Sequence, residues 1–156
     1  MSIVPVADEE NLYRRVPHGM NLYVIQTDGK VKISSQAFAD RSFRPSVDRA
    51  ELCDHDPRRT QHKLSDGVAS VVTRDVRSID TVVQNDKHGN PNQTFSIDVE
   101  HVPILNDPML PDDPAHAEIH TIPECPDKKV FRKLCERLAQ LASERPWEIE
   151  PSSPLL

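Results

Sequence analysis

Seven apolar positions, Val130, Phe131, Leu134, Cys135, Leu138, Leu141 and Ala142, recur every three or four residues, which lays them along one stripe of an α-helix. Asp127 stands before the stripe as a candidate N-cap, and Pro146 halts the helix after Arg145. Elsewhere the period shortens to two, or apolar residues run together. Residues 21–26 and 31–34 read as strands joined across Asp28-Gly29, a hairpin signal. Residues 67–73 read as a buried strand. Residues 81–84 and 94–102 read as a second hairpin around the polar loop 85–92, with Phe95, Ile97, Val99 and His101 on one face. Residues 35–40, capped by Ser34 or Ser35, and residues 75–79 suit short helical turns. The polar stretch 41–66 carries no clear period beyond a turn at Cys53-Asp54-His55-Asp56-Pro57, and the acidic, proline-rich stretch 103–114 reads as a loop.

These elements predict an α+β fold, with an antiparallel or mixed sheet and one amphipathic C-terminal helix packed on a face. Long helices do not alternate with buried strands, which argues against a doubly wound parallel sheet. At 156 residues the chain fits one domain. Residues 1–10 read as a flexible arm, 11–146 as the domain and 147–156 as an extended tail.

The candidate chemistry centres on residues 114–121. In a strand, His116, Glu118 and His120 share one face and Ala117 and Ile119 the other. Such a face can move a proton, hold an anion or simply meet solvent. His116 and His120, four residues apart, lie ~13 Å apart along a strand and cannot share one ion. A metal would need Glu118 with one of them and His101 from a neighbouring strand, so no metal or cofactor is assigned.

Composition narrows the classes. Formal net charge is −6 and aromatic residues are 4% of the chain, which predicts an aliphatic core and argues against a nucleic-acid binder. No apolar run reaches the ~20 residues of a membrane-spanning helix, and residues 1–10 lack the pattern of a signal peptide. Cys53, Cys125 and Cys135 form no C-x-x-C pair, so free thiols in a reducing, cytoplasmic setting are expected. There is no Gly-x-Ser-x-Gly elbow, and four glycines leave no phosphate-cradling loop.

The order Arg14-Arg15, then Ser34-Ser35 before Ala37-Phe38, then Glu118 resembles the Arg–Ser–Glu arrangement of ADP-ribosyltransferases. That resemblance implies that arginine holds the dinucleotide phosphates, serine shapes the nicotinamide pocket, and glutamate positions a ribose hydroxyl near an oxocarbenium-like centre. His116 stands where those enzymes carry an acidic residue or glutamine. The segments Leu12-Tyr13-Arg14-Arg15-Val16-Pro17, Ser34-Ser35-Gln36-Ala37-Phe38, Ser46-Val47-Asp48-Arg49, Gly67-Val68-Ala69, Pro114-Ala115-His116-Ala117-Glu118-Ile119 and Trp147 also resemble a diffuse group of small bacterial proteins of no established activity. This implies that the segments belong together and supplies no reaction.

Two functions are therefore expected. The first is a non-catalytic intracellular binding or accessory module of a bacterial system, with another protein as partner. The second is a small enzyme acting on a phosphate-bearing or nucleotide-like ligand. The enzyme would use His116, Glu118, Arg14 and Ser35 as catalytic residues and Arg15, His120 and His101 for ligand binding.

Overall fold

The computed structural model describes residues 5–19 and 21–152. In chain order its strands are β1 (Asn11–Val16), β2 (Tyr23–Ile25), β3 (Val31–Ile33), β4 (Ser46–Arg49), β5 (Gly67–Val72), β6 (Val83–Asn85), β7 (Pro91–Thr94), β8 (Ser96–His101) and β9 (His116–Ile122). The α-helices are α1 (Thr73–Arg77) and α2 (Lys128–Ser143). The main sheet is antiparallel, in the order β5-β1-β4-β9-β8, and two small hairpins, β2-β3 and β6-β7, stand beside it. The fold is α+β, with one long C-terminal helix.

Register divides the main sheet into two faces. Leu12, Val16, Val47, Ala69, Val71, Ile97, Val99, Ala117 and Ile119 enter the main core. From α2, the buried side chains Val130, Phe131, Leu134, Cys135, Leu138, Ala139 and Ala142 meet them. The helix begins where the sequence places it, because the Asp127 carboxylate accepts from the Val130 amide at 3.0 Å. It closes with a tightened turn in which the Arg145 amide donates to Ala142 O, just before Pro146. On the opposite face Tyr13 and Val68 pack with Ala50, Cys53 and Ala115 beneath the 3₁₀ turns Ala50–Cys53 and Pro57–Thr60. The short α1 touches both β5 and β8, the two edge strands of the sheet.

Four segments differ from the sequence reading, each for a physical reason. Residues 94–102 are not one strand. β7 pairs with β6, β8 pairs with β9, and the buried Phe95 between them donates its N–H to Val82 O. The unreadable stretch 41–66 contains β4, the central strand. Its buried Asp48 and Arg49 mask the strand period, and each has a partner remote in sequence: Thr60 Oγ1 donates to Asp48 at 2.8 Å, and Arg49 forks onto Glu10 with both bonds at 2.9 Å.

That ion pair also organises residues 5–10, which are packed rather than free. Val6 and Glu10 are buried, and Asp8 bonds Arg77. Residues 1–4 of the expected arm lie outside the described residues. In the tail, Trp147 Nε1 donates to Val31 O at 2.9 Å and Ile149 bridges Val68, which covers the β5 edge. Residues 153–156 lie outside the described residues.

The tail's seat depends on a missing side chain. A Cβ at Gly67 would fall 2.7 Å from Pro151 Cδ and 2.9 Å from Trp147 Cζ3. Gly67→Ala should therefore expel residues 147–151 from the sheet edge. The emission of the single tryptophan should shift to the red with the sheet's circular dichroism retained, and an unchanged emission spectrum would contradict this packing.

Candidate functional site

β9 has the alternation its sequence predicts: Ala117 and Ile119 lie in the main core, and His116, Glu118 and His120 share the other face. What those side chains bond to was not legible in the sequence. His116 is only 8% exposed. Its Nδ1 donates to Val102 O at 2.7 Å, and its Nε2 lies 3.0 Å from Ser46 Oγ. Both ring nitrogens are thus engaged in holding β4, β9 and the chain after β8 together. Glu118 accepts from Arg44 Nε at 2.8 Å, and Arg44 also reaches Glu100. Burial works against the Arg44 charge, but the two carboxylates outweigh it and raise its pKa. His120 sits opposite Asp98 in the register, with Nδ1 3.2 Å from Thr121 O, and borders a cavity of about 100 Å³.

The remaining candidate residues are dispersed. Antiparallel alternation along β1 puts Arg14 on the core face with Leu12 and Val16, opposite to Glu118. There its guanidinium donates to Ala37 O and Ser46 O at 2.8 Å each and to Ala39 O at 3.2 Å, 5.8 Å above the Phe38 ring. Burial pulls its pKa below the usual arginine value, partly offset by Asp40. Arg15, on the other face, pairs with Asp66 at 3.6 Å. His101 faces the core side opposite Ala117, so it cannot join Glu118 around one ion. Its buried Nδ1 has no hydrogen-bond partner among the described residues, and burial followed by nearby Arg49 lowers its pKa. Among the described residues no group of three or more His, Cys, Asp or Glu is placed to hold a metal ion. No described helix is long and apolar enough to cross a membrane.

Ser35 alone of the predicted site residues lines a cleft of about 790 Å³ between residues 35–43 and the first turns of α2. The Phe43 and Phe131 rings, with centroids 5.0 Å apart, form an apolar floor. Arg41, Lys128 and Arg132 stand exposed around it. The Asp40 carboxylate is occupied by the Ser42 and Arg44 amides. Phe43 holds φ at 61°, a left-handed conformation that costs a non-glycine residue roughly 1–2 kcal/mol. The strain places its ring against Phe131 at the cleft floor, the kind of site where strained residues cluster. Sequence reading missed this cleft because its walls lie about ninety residues apart in the chain.

A second feature was also missed. Asp48 is buried against Asp113, and burial, followed by the carboxyl–carboxyl hydrogen bond and repulsion between them, pushes the Asp48 pKa up to about 8. Burial, then these two carboxyls, pushes the neighbouring Cys53 thiol up to about 11. Cys135 is raised to about 12 and Cys125 is also raised, both chiefly by burial. None of the three free thiols therefore has the lowered pKa of an activated nucleophile.

Comparison with protein-family models, with curated proteins and with solved structures finds no match to this chain.

The Asp48–Asp113 pair gives a signed pH dependence. Asp48 titrates above its ordinary value of 3.8 in the folded chain, so the folded state keeps a proton that the unfolded state releases. This contribution is full below about pH 4 and is lost as pH rises toward 8, at up to ~1.4 kcal/mol per pH unit. In Asp48→Asn the amide can donate to Asp113 and accept from Thr60 with no proton to lose. Urea midpoints between pH 5 and 8.5 should fall with pH in the parent and run flatter in the variant. Parallel slopes would remove Asp48 as the source.

Proposed function

We propose that the protein is a non-catalytic binding module, and that the cleft between residues 35–43 and the start of α2 receives an acidic, partly apolar segment of a protein partner. The observation that carries this reading is the contrast between two sets of side chains. Arg14, His116 and Glu118, on which catalysis would depend, are bonded into the sheet and divided between its faces. Arg41, Lys128 and Arg132 project around an aromatic floor without a described ion pair holding them in place. In a chain of net charge −6, that grouping selects for opposite charge, and the floor supplies apolar area. Three free thiols suit a reducing, cytoplasmic setting.

A second reading keeps one supporting observation. Ser35 and the three cations border the same space, which suits a phosphate-bearing or nucleotide-like ligand held by arginine.

The test is an amide NMR titration with a short synthetic peptide alternating glutamate with phenylalanine and leucine, with ATP as comparator. Shifts should concentrate in residues 35–43 and 128–135. Arg41→Glu combined with Arg132→Glu should weaken peptide binding at least about tenfold, equivalent to ~1.4 kcal/mol. His116→Ala should lose about 1–3 kcal/mol of stability, through the buried groups it leaves unpaired, and still bind. Peptide shifts absent at millimolar concentration would overturn the reading, and Ser35-dependent turnover of ATP would install the enzyme instead.

A further inference from the structure

The molecule carries an exposed segment whose chemistry complements the cleft. We infer that the cleft's occupant is the loop of residues 103–113 from a second copy of this chain. The inference rests on the binding-module reading and names its partner.

The loop is apolar and acidic at once. Leu105, Met109 and Leu110 are 49%, 86% and 53% exposed, and they are three of only eight large apolar side chains so exposed among the described residues. The same segment contains Asp107, Asp112 and Asp113 and no lysine or arginine. Asp113 turns inward to Asp48, which leaves Asp107 and Asp112 as its outward charges. The cleft offers the reverse: three cations against the single carboxylate of Asp40, over the Phe43–Phe131 floor.

The loop is also held in one shape. Ile104 and Asp113 exchange backbone bonds at 3.0 and 2.7 Å, and Asp107 accepts from the Met109 and Leu110 amides. A segment already ordered loses less conformational entropy on docking than a free one. Two chains of net charge −6 repel each other, so self-association needs a local opposite-charge match, and this pair of surfaces provides one.

The loop stands apart from its own cleft. It enters β9 at His116, whereas the helical wall of the cleft begins beyond the far end of that strand at Ile122, roughly 20 Å away. Asp113 anchors the loop on the face opposite α2. Each copy therefore presents one loop and one cleft, which either close reciprocally in a dimer or continue head to tail.

Sedimentation velocity of the full chain, from about 10 μM to 1 mM at low ionic strength, tests this. The weight-average mass should climb from 17.7 kDa to twice that or more, and fall back in 0.5 M salt. Met109→Lys in the loop or Arg132→Glu in the cleft should each weaken association at least tenfold without changing the melting temperature. The two combined in one chain should restore it. A mass fixed at 17.7 kDa, or association indifferent to both variants, overturns the inference. Should the acidic peptide still occupy the cleft of a persistent monomer, only the self-association falls. If the peptide fails as well, the binding-module reading falls with it.

Discussion

A guanidinium partly withdrawn from water needs acceptors, and the half-buried Arg14 finds three carbonyl oxygens, those of Ala37, Ala39 and Ser46. The rest of the functional surface depends on that bond set. It ties the chain between β3 and β4 to the core face of β1, across more than twenty residues of sequence. It also fixes where β4 begins, and β4 is the central strand against which β9 pairs. The planar fork suits the task, because three donors diverge from one rigid group toward three different carbonyls.

Two consequences follow for chemistry. An arginine bonded in this way has three of its five N–H groups engaged by the backbone, and its face of the sheet is not that of Glu118. The same clamp shapes the cleft, since residues 35–43 form the wall that it secures. Phe43 then turns into a left-handed conformation and lays its ring on Phe131, while Arg41 is left at the rim. A residue that reads as a ligand holder in the sequence thus acts as a fastener, and the cations that face open space come from positions with no motif around them.

The C-terminal helix, the β2-β3 hairpin and the alternation of β9 were all legible, because each depends on neighbours within a few residues. β1 and β4 were not, although they lie inside the sheet. Their periodicity is broken by Arg14, Asp48 and Arg49, whose inward placement is explained only by Ala37, Thr60 and Glu10, each distant along the chain. The site was legible to the same degree. The shared face of His116, Glu118 and His120 follows from spacing, but Arg44, Val102 and Ser46, which determine what those side chains do, come from elsewhere. A cleft formed by residues 35–43 and 128–135 leaves no local signature at all, and neither does a carboxyl pair contributed by Asp48 and Asp113.

The most direct measurement of the central claim is hydrogen exchange on Arg14→Lys. Lysine keeps the charge but brings its donors to a single point, so it cannot serve three separated carbonyls. If Arg14 is the clamp, the amides of Ala37, Ala39, Phe43 and Arg44 should exchange at least about tenfold faster, ~1.4 kcal/mol of local opening. Amides of β8 and β9 should keep their protection. Unchanged exchange across residues 37–46 would contradict the account and return Arg14 to the list of residues free to meet a ligand.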